Sequence, residues 1–94
     1  MSSSGKPIGL AKSVRCDDKL MYVTLRDGRV VSAPLTPRLL HATQRQRDKG
    51  RVRELGTALH WEEIDEDVGV NWVLGVSEDE IYDLAGFTNE PPPM

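Results

Sequence analysis

Apolar and polar residues alternate in the N-terminal part of the chain, a pattern that is typical of β-strands with one buried face. From Ile8 to Cys16 the apolar residues follow a period of two, interrupted only by Lys12. Asp17 and Asp18 then predict a turn. We therefore expect a half-buried or edge strand over residues 8–16.

Residues 19–35 contain two apolar runs that flank a short polar segment ending at Gly28, and this arrangement predicts a β-hairpin. A two-residue loop would place Val23 opposite Ser32, whereas a three-residue loop with a left-handed Gly28 would place it opposite Val31. A slip of one residue moves every side chain to the other face of the sheet. Because the longer loop pairs apolar with apolar residues, we predict the longer loop.

A helix-start signal follows at Thr36 and Pro37, where the hydroxyl can cap the first turn and proline suits the first helical position. We predict one main helix that runs to about Asp48 and stops at Gly50. Its buried stripe is expected to contain Leu39, Leu40, Ala42 and Thr43. Its opposite side carries Arg38, His41 and Arg45, at spacings that place them on one face.

Two short apolar runs, at 52–55 and 58–61, surround Gly56 and predict either two strands or one bent strand. Residues 62–67 contain five acids around Ile64 and are expected to form a connector. The acids favour the start of a following helix. Residues 70–74 are compatible with a short helix or a strand, and we predict the helix.

A capping box formed by Ser77 and Glu80 predicts a terminal helix to about Ala85, with Ile81 and Leu84 facing inward. The order of elements indicates an α+β fold. It consists of a small antiparallel sheet built on an N-terminal three-strand meander, one main helix after strand 3, and short strands and short helices in the C-terminal part.

A chain of 94 residues suits a single domain, which we predict over residues 8–86. Residues 1–7 are expected to be a flexible N-terminus and residues 87–94 a flexible Pro-rich tail. The apolar stretches are much shorter than a membrane span, and a single cysteine, Cys16, suits a reducing compartment. We therefore expect a cytoplasmic protein that has no membrane span, with Cys16 packed as a small strand residue.

Charge is strongly polarised along the sequence although the net charge is only −3. All twelve Lys and Arg residues lie at or before Arg53 together with four acids, which gives +8, and the eleven acids from Glu54 onward give −11. The two halves either form separate surfaces or neutralise each other in the fold.

The basic cluster is the best candidate for a binding surface, and its alternative is a solvated face that pairs with the acidic half. We predict partner binding by Arg38, His41, Arg45, Arg47, Arg51 and Arg53, with Trp61 as an aromatic anchor. A core position is the more frequent role for a tryptophan in so small a domain. Reversal of Arg45 and Arg47 to glutamate is expected to weaken binding of an acidic partner.

Catalytic chemistry has little support in the sequence. Neither His41 nor His60 lies in a recognisable nucleophile–base motif, and the acids at 65–67 lack the remaining ligands of a calcium loop. We therefore expect no enzyme activity, no metal and no cofactor. Convergence of His60 with the carboxylates of residues 65–67 in a deep polar pocket would contradict this view.

Several segments together resemble the bacterial family known as domain of unknown function 2442. They are the series from Tyr22 to Arg29, the Leu39-Leu-His-Ala-Thr segment, and the series Leu59-His-Trp-Glu-Glu-Ile-Asp-Glu-Asp-Val-Gly-Val with Leu74. The resemblance covers about residues 10–75. It implies a compact α+β fold, no established enzymatic activity and genes that often lie beside a second small protein in a toxin–antitoxin-like arrangement.

Some relatives carry an additional helix-turn-helix domain, for which this chain has no room after the resembling segment. We therefore expect a non-catalytic protein-binding module, an antitoxin-like partner of a small protein encoded nearby. The alternative is a nucleic-acid-binding regulator that uses the same basic residues, and a steep dependence of affinity on salt would identify it. The sequence does not predict the oligomeric state.

Overall fold

The computed structural model describes residues 9–86, which form two three-stranded antiparallel sheets and four short helices. The first sheet has the order β1-β2-β3, and the second has the order β4-β5-β6. The elements in chain order are β1 (Ala11–Cys16), β2 (Leu20–Leu25), β3 (Val30–Pro34), α1 (Pro37–Leu40), α2 (Gln44–Arg47), β4 (Arg51–Arg53), β5 (Ala58–Trp61), β6 (Glu66–Gly69), α3 (Val70–Leu74) and α4 (Glu78–Ala85).

The β2–β3 hairpin confirms the predicted three-residue loop. Val23 lies opposite Val31, and the N–H of Leu25 donates to the carbonyl of Arg29 across the loop at 2.8 Å. Gly28 has a φ of 96°, a value that only glycine adopts without strain. The local turn residues therefore fix the register that buries the apolar face of this sheet.

Strand β1 begins at Ala11, later than predicted, and Ile8 lies outside the described residues. Its pairing with β2 shifts by one residue between Ala11 and Ser13. A β-bulge at Lys12 accounts for this shift, because one extra residue in a strand moves all later side chains to the opposite face. The polar residue that interrupts the apolar pattern of the sequence is thus the bulged residue.

The prediction of one main helix is wrong, because the segment forms the two short helices α1 and α2. Thr43 separates them with an extended backbone (φ −77°, ψ 160°). Its hydroxyl accepts from the N–H of Gln46, and the Gln46 side chain accepts from the N–H of Thr43. This capping box starts a new helix and ends the preceding one. As a result Leu39 is buried, whereas Leu40 and Thr43 are exposed, contrary to the predicted stripe.

The second sheet contains two of the strands expected around Gly56 and one strand that was not predicted. Strand β6 covers the end of the segment that was read as an acidic connector, and it pairs with β5. Leu59 of β5 lies between Val52 of β4 and Val68 of β6 on the inner face. The acidic residues of β6 concealed its alternation in the sequence.

The two C-terminal helices agree with the prediction in position. Helix α3 occupies residues 70–74, and α4 begins with the predicted capping box between Ser77 and Glu80. Ile81 is buried as expected, but Leu84 is exposed. The inward assignment of Leu84 is therefore wrong.

Both sheets contribute to one hydrophobic core, because β1 lies against β4 and the apolar faces point to the same interior. The largest fully buried side chains of this core are those of Trp61, Met21, Leu25, Leu39, Leu59, Ile81, Val23 and Val70. The exposed residues of β1 and β4 consequently lie on the outer side of the two sheets.

The predicted flexible termini, 1–7 and 87–94, lie outside the described residues. Within residues 9–86 no helix has the length and apolar character needed to cross a membrane.

Candidate functional site

The fold divides the predicted partner-binding residues into an exposed group and a buried group. Arg38 of α1, His41 at its C-terminal end and Arg45 of α2 are exposed, as are Arg51 and Arg53 of β4. The break between α1 and α2 removes the single helical face on which the first three were expected.

Arg47 and Trp61 are interior residues, so their assignment to a binding surface is wrong. Arg47 is 8% exposed, and its guanidinium donates to the carbonyl of Ala42 at 2.5 Å. Trp61 is 1% exposed, and its indole Nε1 donates to the backbone carbonyl of Arg47 at 3.0 Å. Trp61 lies two residues after Leu59 in β5, so both side chains point to the same face of the strand, which is the face toward the core. Arg47 tolerates burial because backbone carbonyls satisfy its donors.

Four of the five exposed residues line two depressions, and Arg45 lines neither of them. Arg38 and His41 line a depression of about 550 Å³ beside the β5–β6 turn, together with Pro37, Ala42, Gln46, Ile64 and Glu66. There Arg38 donates to the carbonyl of Ile64 at 3.1 Å and lies 3.9 Å from a Glu66 carboxylate oxygen. Arg38 is therefore already engaged by the fold.

The second depression, of about 340 Å³, lies on the outer face of the second sheet and is lined by Lys49, Arg51, Arg53, His60, Glu62 and Glu63. We call Lys49, Arg51 and Arg53 the β4 basic face. They alternate along the chain with Gly50 and Val52, so all three project to the same side of the strand.

Two members of the β4 basic face carry charge that the fold does not pair. Lys49 forms an ion pair with Glu63 at 2.9 Å. Within residues 9–86, the Arg51 guanidinium donates only to the neighbouring carbonyl of Gly50, at 3.5 Å. Across residues 9–86, neither Arg51 nor Arg53 forms a salt bridge. These two guanidinium groups are therefore available to an anionic partner.

An acidic strip lies directly beside the β4 basic face, formed by Glu62, Glu63 and Asp67. The Lys49 ammonium, followed by the Gln46 side chain, holds the pKa of Glu63 below its usual value. His60 lies opposite Arg51 in the register, and its Nδ1 is 2.5 Å from Asp67 Oδ1. The basic and acidic halves of the sequence thus meet on this face in adjacent strips and partly neutralise each other.

Strand β1 adds a further cation on the outer side next to β4. The Arg15 guanidinium lies 4.4 Å from the centre of the Tyr22 ring, a cation–π contact. The hydroxyl of Tyr22 donates to Asp17 at 2.9 Å. Hydrogen bonds from the N–H groups of Leu20 and Lys19, and then from Tyr22, lower the pKa of Asp17. Arg15 is thus held in place by an ordered turn.

A left-handed turn at 54–56 was not predicted and presents an apolar side chain at the end of β4. Glu54, Leu55 and Gly56 have φ values of 54°, 57° and 93°. The left-handed conformation costs roughly 1–2 kcal/mol for each residue other than glycine. Leu55 is nevertheless 58% exposed. Gly56 is the only local signal for this turn, and nothing in the sequence indicates that two residues before it are left-handed.

The geometry around His60 differs from that of a catalytic carboxylate cluster. Asp67 meets His60, but Glu66 points away from it, because its carboxylate accepts from the Thr36 hydroxyl at 2.5 Å. The convergence of His60 with all three acids of 65–67 does not occur. Among residues 9–86 no cluster of three His, Cys, Asp or Glu side chains is placed to hold a metal ion.

Cys16 is buried in β1, and its titration provides a test of the packing between β1 and α2. Desolvation raises the pKa of the thiol from 9.0 to about 11, opposed in part by the positive charge of Arg47. The folded state therefore holds this proton more tightly than the unfolded state does. The resulting stability is complete below pH 9 and is lost as the pH rises toward 11.

We expect the wild-type free energy of unfolding to fall by up to about 2 kcal/mol more than that of Cys16→Ala as the pH is raised through this interval. Urea unfolding at pH 8, 9 and 10.5 measures the difference. Tyr22 and Tyr82, whose carboxylate neighbours Asp17 and Glu78 raise their pKa values, remain in both proteins. Parallel pH profiles for the two proteins would show that the thiol is not desolvated.

Comparisons with known proteins place the chain in an uncharacterised family. A crystal structure of a protein of unknown function from Rhodospirillum rubrum ATCC 11170 is similar to it, with 25% sequence identity and a TM-score of 0.62 over 74% of this chain and 90% of that chain. No curated protein matches the chain. The model of the family described as "Protein of unknown function (DUF2442)" matches residues 11–74. The chain therefore belongs to the DUF2442 family.

Proposed function

We propose that this chain is a non-catalytic protein-binding module that docks through the β4 basic face and the acidic strip beside it. The observation that carries the proposal is the pair of exposed arginines, Arg51 and Arg53, which have no carboxylate partner within residues 9–86. Exposed arginines in a fixed strand geometry are well suited to bind carboxylates of a partner.

The neighbouring charges favour a protein over a nucleic acid. A partner protein with an acidic strip next to a basic strip complements both charged strips of this surface. A nucleic-acid backbone carries one sign of charge throughout. Such a backbone would be attracted by Arg51 and Arg53 but repelled by Glu62, Glu63 and Asp67 on the same face.

The partner that we propose is a second small protein encoded beside this gene, with this chain as its antitoxin-like component. This part of the proposal rests on the gene arrangement implied by the family resemblance. The absence of catalytic function is also a proposal. It is supported by the burial of the Cys16 sulfur and by the orientation of Glu66 away from His60.

Co-expression of the chain with the product of the neighbouring gene tests the proposal directly. We expect the two proteins to elute together from a size-exclusion column at physiological salt. Arg51→Glu and Arg53→Glu are each expected to weaken the complex by 1.4–2.8 kcal/mol, about 10-fold to 100-fold, as is typical for the loss of a charge pair at an interface. Calorimetric titration measures this loss.

Lys19→Glu is the matched control, because it makes the same change in charge at an exposed turn between β1 and β2. It should bind as the wild type does. The double reversal of Arg45 and Arg47 is not a suitable test, because Arg47 is part of the core. No complex with the wild type would refute the proposal. A gel shift of duplex or single-stranded DNA that disappears steeply with salt would favour the nucleic-acid alternative instead.

A further inference from the structure

The left-handed turn at 54–56 places one apolar side chain at the end of the β4 basic face. Leu55 has a larger exposed fraction than any other large hydrophobic side chain in residues 9–86. It follows Arg53 in the chain by two residues. The turn thus follows directly on the β4 basic face along the chain.

Contacts with the first sheet support this turn. A Cβ on Gly56 would lie 2.9 Å from Leu10 Cβ and 3.0 Å from the carbonyl oxygen of Ala11, so the turn is packed directly against β1. The hydroxyl of Thr57 donates to the carbonyl of Glu54 at 2.9 Å. The backbone that carries Leu55 is therefore packed against β1 and closed by a hydrogen bond within the turn.

The Leu55 backbone also contacts the hairpin loop of the first sheet. Arg26 Nη2 donates to the carbonyl of Leu55 at 3.1 Å. This contact also places a guanidinium beside the leucine. Arg26 therefore lies close to the Leu55 backbone, and Arg53 precedes Leu55 by two residues, while Glu54 supplies the acid of the turn.

Leucine is an unfavourable residue for this position on two counts. Asparagine or glycine adopts the left-handed conformation at lower cost, and a polar side chain suits an exposed position better. Backbone strain of this kind persists where the surrounding structure enforces it, and it is concentrated at functional sites. Leu55 is not among the apolar residues of 9–86 that pack against the core, so core burial does not offset this cost.

We infer that Leu55 is the apolar anchor of the docking surface, and that it inserts into an apolar socket of a protein partner whose border carries carboxylates. This inference rests on the proposed function and specifies the chemistry of the partner. Anchors of this type dominate binding energy when charged neighbours close the contact to water. The carboxylate border follows from the positions of Arg26 and Arg53.

The test compares Leu55→Asn with the wild type in titration against the product of the neighbouring gene. Asparagine relieves the backbone strain and removes the apolar group. We expect equal or higher thermal stability of the variant and a loss of affinity of about 30-fold or more, the range of interface hot spots. The unchanged fold is verified by circular dichroism and by the melting temperature.

Leu40→Asn is the matched control, because Leu40 is an exposed leucine on α1. It should retain the affinity of the wild type. Equal affinity for Leu55→Asn and the wild type would overturn the inference and leave the proposed function intact. Failure of the wild type to bind would overturn both. If the chain associates with itself and Leu55→Asn abolishes this association, the occupant of the surface is a second copy of the chain. That result would also overturn the inference.

Discussion

Replacing Trp61 by alanine is expected to lower the free energy of unfolding by about 3–5 kcal/mol, the range measured for truncation of a buried aromatic side chain. The indole is 1% exposed, and its ring lies so close to Gly50 that a Cβ there would be 2.7 Å from the ring. Its Nε1 also donates to the carbonyl of Arg47. Because single domains have a total stability of only about 5–15 kcal/mol, this loss is a large fraction of the stability of the fold.

Trp72→Ala is the control for this prediction. Trp72 lies on α3 and is 51% exposed, so its removal is expected to change stability by less than about 1 kcal/mol. Urea unfolding followed by far-UV circular dichroism measures both variants without relying on tryptophan fluorescence. Similar losses for the two variants would show that Trp61 is not the central side chain of the core. Trp61→Phe should lose about 1 kcal/mol for the hydrogen bond alone, in addition to its packing loss.

The two tryptophans illustrate which parts of the fold can be predicted from the sequence. A tryptophan in a short strand is compatible with a core and with a binding surface until the pairing of the strand is known. The side of β5 that faces inward is decided by its pairing with β4 and β6. Strand β6 was not predicted, because the placement of its acidic side chains depends on partners that are distant in the sequence, such as Thr36 for Glu66.

Local chemistry was predictable where it acts within a few residues. The hairpin register followed from Gly28 and the apolar pattern, and the capping box of α4 was visible as Ser77 and Glu80. The same logic applied to Thr43 and Gln46 would have revealed the break between α1 and α2. The prediction followed the apolar stripe and did not use this cap. It therefore merged two helices into one.

The candidate site was only partly predictable for the same reason. The positions of Arg51 and Arg53 in a basic segment indicated a charged surface, and the structure places both on an exposed face. Neither the left-handed backbone of Leu55 nor the strip of acids beside the arginines has a local signal. Both arise from the packing of the 54–56 turn against β1 and from the β5–β6 pairing.

Arg47 is the residue whose structural role differs most from its predicted role, and its replacement by methionine tests that role. We expect Arg47→Met to lower the free energy of unfolding by about 2–4 kcal/mol, because the part-buried carbonyl of Ala42 and the buried carbonyl of Leu39 lose their donor. Methionine preserves most of the aliphatic volume, so the loss reports mainly on hydrogen bonding. Arg45→Met, an exposed change on the same helix, should alter stability by less than about 0.5 kcal/mol. Wild-type stability in Arg47→Met would show instead that an apolar side chain fills this site equally well, as occurs at some buried ion pairs.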